Sequence, residues 1–214
     1  MAIQKDQQAT IVISPPKFET MALRIIGESP YMQLRFSKKG EILNKMAQGS
    51  TAKGKKAREC RDYEAEYKAA MYISSEGWNG IPASCFRNAC ISACRLVGFK
   101  MTLAKLSIFI EADGLDLTEG LPLVKLNGTP EISQMPVRNA TGVMDIRTRP
   151  MWREWSCDLR IRYDTDQFTS ADVVNLIARV GMQVGIGEGR PDSKSSAGLG
   201  YGMFRVGSSG EVTQ

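Results

Sequence analysis

Six glycines and two basic residues crowd the stretch from Gly185 to Gly202. Val184–Val206 reads VGIGEGRPDSKSSAGLGYGMFRV, with Gly185, Gly187, Gly189, Gly198, Gly200 and Gly202 set around Arg190 and Lys194. Glycine lets a backbone bend sharply and approach a ligand closely, because no Cβ intervenes. The main-chain N–H groups of such a loop can face phosphate oxygens, and its basic side chains favour an anion. The segment is not a P-loop, since no Lys-Ser or Lys-Thr follows at the required spacing, and Gly185–Arg190 does not fit the dinucleotide pattern GxGxxG. The expected role is a backbone cradle for a nucleic-acid strand; the alternative is a flexible surface loop.

Hydrolytic chemistry has few candidates. The chain has no histidine, so a serine or cysteine nucleophile would lack its usual imidazole partner. Asp113 with Asp116, and Asp164 with Asp166, have a spacing that suits a divalent metal. They also stand at strand ends, where aspartate makes turns. Cys60, Cys85, Cys90, Cys94 and Cys157 are odd in number and include no CxxC pair. A zinc site is therefore disfavoured, and the thiols are expected to be reduced in a cytoplasm. The expectation is a non-enzymatic protein with no cofactor and no bound metal.

Charge is concentrated in one place. Residues 38–61 carry Lys38, Lys39, Lys45, Lys53, Lys55, Lys56, Arg58 and Arg61 against Glu41 and Glu59, a net +6 where the whole chain sums to +5. That segment is the first candidate for contact with a polyanion; otherwise it is a solvated loop. A second basic run holds Arg138, Arg147, Arg149 and Arg153, whose forks match phosphate oxygens. Met151, Trp152 and Trp155 interleave with it and could stack on bases. Trp155 is the better candidate for the core, and Trp152 suits either role. Arg87 joins the basic set, on the polar side of a helix.

These residues need elements to position them. Thr20–Glu28 alternates as a strand with Met21, Leu23 and Ile25 on one face, and Tyr31–Phe36 is expected to continue it. Residues 37–57 suit a loop and 58–73 a helix, with Tyr63, Tyr67 and Ala70 on one face and a Glu64–Lys68 pair. Pro82 and Gly98 bracket ASCFRNACISACRLV as a helix, with Phe86, Cys90, Ala93 and Val97 inward. Ala104–Glu111 alternates as a strand. Residues 112–150 hold turn signals and short apolar runs. In Ser156–Tyr163, Cys157, Leu159 and Ile161 alternate with Arg160 and Arg162. Thr169–Asp172 forms a capping box for a helix with Val173, Leu176, Ile177 and Val180 inward. Met203–Val206 closes as a strand.

The core order strand, helix, strand, strand, helix, strand gives an α+β fold of ferredoxin-like (RRM-type) arrangement. The expected organisation is a single domain over 1–214. It carries a basic loop and helix insertion at 37–80, a β-rich insertion at 112–155 between the middle strands, and a flexible tail at 207–214.

Three features resemble the RAMP superfamily, the repeat-associated proteins that form the RNA-binding backbone of CRISPR effector complexes. Ile81–Arg95 is similar to that family's I-P-x-S segment opening the first helix, through Ile81, Pro82, Ser84 and the basic Arg87. The glycine-rich loop stands after the second helix and before the last strand, as in that family. The basic insertion after the first strand falls where those subunits carry finger or thumb elements. The chain departs from the family in the acidic Glu188 and Asp192 of the loop. Ile108 and Phe109 are the nearest apolar pair to an RNA-stacking aromatic set. Without histidine, the role of the RNA-cleaving members is disfavoured. The run TRPMWREW followed by VGIGEGRP also resembles phage-encoded proteins of unassigned function.

The sequence therefore predicts a protein that binds single-stranded RNA or DNA through phosphates and self-associates along it as a homo-oligomer or filament. The alternative is a viral structural or assembly protein whose basic loop contacts partner subunits. No apolar run approaches the ~20 residues a membrane span needs. The expected setting is the cytoplasm, that of the host if the protein is viral.

Overall fold

A computed structural model describes residues 14–35, 62–138, 144–193 and 198–208. The basic segment 38–61 and the end of the chain beyond 208 lie outside the described residues. Ten strands and four α-helices are described: β1 (Phe18–Gly27), β2 (Tyr31–Met32), α1 (Tyr63–Ala69), β3 (Gly80–Pro82), α2 (Ala83–Leu96), α3 (Met101–Ser107), β4 (Ile108–Glu111), β5 (Gly114–Leu115), β6 (Pro122–Lys125), β7 (Glu131–Arg138), β8 (Met144–Trp152), β9 (Ser156–Asp164), α4 (Ser170–Arg179) and β10 (Phe204–Val206). The chain is mixed α+β, and every strand pairing is antiparallel.

The largest sheet has the order β10-β1-β9-β4. Its register sets Leu23 against Leu159, Ile25 against Cys157, and Ile110 against Ile161. Because strand side chains alternate, these residues share a face. They enter one core with Phe86, Cys90 and Ala93 of α2 and Val173, Leu176 and Ile177 of α4. The capping box forms as expected: the Thr169 hydroxyl accepts from Asp172 N–H, and the Asp172 carboxylate accepts from Thr169 N–H. A single π-helical turn, Val180–Val184, follows α4 and delivers the chain to the glycine-rich loop.

Two three-stranded sheets, β2-β8-β7 and β3-β6-β5, accompany the large one. The 112–155 stretch is β-rich as expected, and its strands pair with strands from the 31–82 stretch. Tyr31 joins the layers. Its ring stands 5.6 Å from that of Trp152 and 5.6 Å from that of Trp155. Gln33 is buried beside it, donating to the Tyr31 hydroxyl and to Gly80 O while accepting from Tyr72 N–H.

Four sequence expectations are corrected. Ala104–Ser107 is helical, and the strand begins only at Ile108. Ala104 and Ser107, three apart, are the buried residues of α3 while Leu103 and Leu106 face out, so a helical spacing hides inside an apparent alternation. Tyr31–Met32 does not continue β1 but pairs with β8 in another sheet. Here Gly27 N–H is taken by Trp155 O and Glu28 N–H by Met203 O, and the chain turns at Ser29-Pro30. The helix expected over 58–73 is described only as Tyr63–Ala69; the Glu64–Lys68 pair forms at 2.8 Å. Val97 is half exposed just past the end of α2, and Ala89, Ile91 and Cys94 take the buried positions instead.

Candidate functional site

The described residues of the glycine-rich loop are folded onto the protein. Glu188 N–H donates to Met32 O, Gly202 N–H to Pro30 O, Ile186 N–H to Gly202 O, and both Leu199 and Tyr201 N–H to Gly189 O. All six glycines have positive φ, and two show why no other residue fits. A Cβ on Gly187 would stand 2.5 Å from Met32 O and 2.6 Å from the Tyr31 ring, and one on Gly202 would stand 1.8 Å from Ile186 O. These glycines serve close backbone approach, the use the sequence suggested, but toward the protein's own chain.

The arginines gather around this loop unevenly. Arg149 places Nε 2.7 Å from Glu188, and Arg147 places Nη1 3.7 Å from the same carboxylate. Arg190 donates to Gly187 O within the loop. Asp192 accepts from the Ser92 hydroxyl and pairs with Arg95 at 3.2 Å, tying the loop to α2. The Ser92 hydrogen bond holds the Asp192 carboxyl below its usual range; burial opposes this, and Arg95 assists. Arg153 pairs with Glu131 at 2.8 Å on the exposed surface.

Trp152 is fully buried, as its sequence position left open, so the expectation that it stacks on a base is corrected. Its register partner is Tyr31, and the β2–β8 pairing turns its ring inward. Trp155 is also buried, its indole N–H donating to Ser29 O at 2.8 Å. Arg87 spends its guanidinium on the end of α3, donating to Lys105 O at 2.5 Å and Ile108 O at 3.1 Å. Lys38, Lys39, Lys45, Lys53, Lys55, Lys56, Arg58, Arg61 and Lys194 lie outside the described residues, as does the side chain of Arg138.

A surface whose residues were not among the expected contacts lies on the large sheet. Residues alternating away from the core are Phe18, Thr20, Ala22 and Arg24 of β1, Asp158, Arg160 and Arg162 of β9, and Phe109 and Glu111 of β4. Arg162 faces Thr20 on one side and Phe109 on the other. Its guanidinium carbon stands 5.1 Å from the Phe109 ring centre and 5.4 Å from that of Phe18. Arg87 approaches the Phe109 ring at 4.9 Å. Arg24 and Arg160 are neutralised by Asp158 and Asp113, whereas Arg162 has no acidic partner among the described residues. The face therefore presents an exposed cation seated on two aromatic rings. The alternation of Asp158, Arg160 and Arg162 was visible in the sequence. Phe18 was not, because it precedes the strand start that the apolar pattern gives.

Three of the four aspartates considered for metal have their carboxylates engaged locally. Asp113 accepts from Lys125 N–H and pairs with Arg160. Asp116 is buried, pairs with Arg35 at 2.6 Å, and accepts from Thr118 and Glu119 N–H. Asp164 accepts from Asp166 N–H in a turn. Burial pushes the Cys85 thiol up to about 11 and the Cys90 thiol up to about 12, well away from nucleophilic thiolates at neutral pH.

No protein-family model matches the chain, and no curated protein matches it.

Proposed function

We propose that this protein has a ferredoxin-like core and binds single-stranded nucleic acid without cleaving it, associating with further copies along the strand. The observation that carries the reading is the outer face of the large sheet. Its order β10-β1-β9-β4, all antiparallel with α2 and α4 on one side, suits that core and leaves the opposite face free at the described residues. On that face Arg162 lies over Phe18 and Phe109, a platform on which a base can stack. The basic segment 38–61 would add phosphate contacts that do not depend on sequence. The resemblance to the RNA-binding RAMP proteins points the same way. Exposed Ile132, Met144 and Ile146 on the β7–β8 hairpin favour a second reading, an assembly protein that uses this arm on a partner subunit.

The test is anisotropy of a labelled single strand of about 40 nucleotides over a salt series, paired with light scattering. The expected result is salt-sensitive binding and a large assembly that forms only with the strand. Arg162→Glu, and separately Lys53, Lys55 and Lys56→Glu, should weaken it while the circular dichroism spectrum stays unchanged. An oligomer of fixed size, indifferent to the strand at low salt, sinks the proposal and favours the assembly reading.

A further inference from the structure

Arg147 and Arg149 stand two apart on β8, so the pleat sends both side chains to one face. The glycine-rich loop crosses that face. Tyr201 of the loop reaches across to Met135 on β7, 3.9 Å from hydroxyl to Sδ, and Met135 faces Arg147 in register. Both guanidinium groups meet one carboxylate, that of Glu188, at 2.7 and 3.7 Å. Two positive charges thus face one negative charge. The Arg149 side chain is only 15% exposed and that of Glu188 25% exposed, so the pair sits where water screens it weakly.

The Glu188 side chain is not alone in holding the loop in place: backbone bonds to Met32 and Pro30 and the Asp192 contacts hold it as well. The carboxylate sets one oxygen against Nε of Arg149 and the other, at 3.7 Å, near Nη1 of Arg147, while Nη1 of Arg149 donates to Thr148 O; a phosphate group could set oxygens against the same two guanidinium groups. We propose that Arg147 and Arg149 form an oxyanion site of the phosphate class, and that Glu188 is its intramolecular occupant, swung out to solvent when a phosphate enters. The site stands on this geometry alone; only the identification of its natural ligand as a phosphodiester rests on the nucleic-acid reading. In that case strand binding at this point exchanges one anion for another, and the wild-type protein has its affinity held down.

Glu188→Gln keeps the shape and removes the competing charge. Two readouts are needed: the Tm in inorganic phosphate at constant ionic strength, and the affinity for a labelled single strand of about 20 nucleotides. The expected result is a Tm that rises with phosphate in Glu188→Gln and does not in Glu188→Gln/Arg149→Gln. Strand affinity should rise about tenfold in the single variant, and its salt slope should steepen by roughly 0.7, one phosphate contact on a single strand. A phosphate response without gain in strand affinity supports the site and assigns it to free phosphate. If Glu188→Gln folds normally and gains neither, the proposal fails, and the ion pairs merely fasten loop to hairpin. Should that variant unfold, the wild-type protein decides: phosphate must raise its Tm, and Arg147→Gln must abolish the effect. Stabilisation by phosphate in a protein that binds no strand at any salt would leave the site and remove the function proposed above.

Discussion

Asp116→Ala is expected to be among the most damaging single changes in the described surface loops. Asp116 looks like a turn residue in the sequence, yet its side chain has no exposure. One of its oxygens takes Arg35 at 2.6 Å together with the N–H groups of Thr118 and Glu119 at 3.1 and 2.8 Å. Arg35 is 10% exposed at its side chain and lies 5.2 Å from the Tyr72 ring centre. Removing one partner of a buried pair leaves the other charge uncompensated, typically at about 3–5 kcal/mol. Glu119, 3.8 Å from the same guanidinium and partly exposed, can take over some of the charge, so the low end applies, about 3 kcal/mol. With a urea m-value of about 3 kcal/mol/M for a chain of this size, the midpoint should fall by about 1 M. The assay is urea unfolding of wild type, Asp116→Ala, Arg35→Met and the double variant. The double variant should be less destabilised than the sum of the singles by on the order of 2 kcal/mol, because it strands no charge. A loss under about 1 kcal/mol in Asp116→Ala, or strict additivity, would refute the argument that this pair is desolvated and coupled.

Two further outcomes are expected. Gly202→Ala places its Cβ against Ile186 O at a residue with φ of 68°, so it should cost about 3 kcal/mol or prevent folding, whereas Gly200→Ala, in open space, should cost about 1 kcal/mol from backbone strain alone; thermal melts of the two variants compare them directly. Acid stability should depend on Asp192 and Asp172, both held below the ordinary carboxylate range by hydrogen bonds from Ser92 and Thr169 respectively. A depressed folded pKa gives stability that is present above the unfolded value of about 3.9 and is lost as pH falls through the folded one. Asp192→Asn should therefore show a smaller drop in Tm than wild type between about pH 6 and about pH 3, and an equal drop would contradict that assignment.

What the sequence determined by itself was local and periodic. The alternation of Cys157, Leu159 and Ile161, the inward stripe of Val173, Leu176 and Ile177, and the Thr169–Asp172 cap each reside within a few residues. Each reappears in β9 and α4, because hydrophobic period and capping chemistry depend on near neighbours. The glycines of the loop were legible as sites of close approach for the same reason. Their target was not: only the fold brings Tyr31 and Met32 under Gly187. Tertiary structure likewise decided that Trp152 is buried against Tyr31, that Arg87 serves the end of α3, and that Glu188 answers Arg147 and Arg149. It also set Phe18 and Phe109, 91 positions apart in the chain, on either side of Arg162. Those outcomes depend on which strands pair and in what register, and a residue's local pattern carries no record of a partner so far away in sequence.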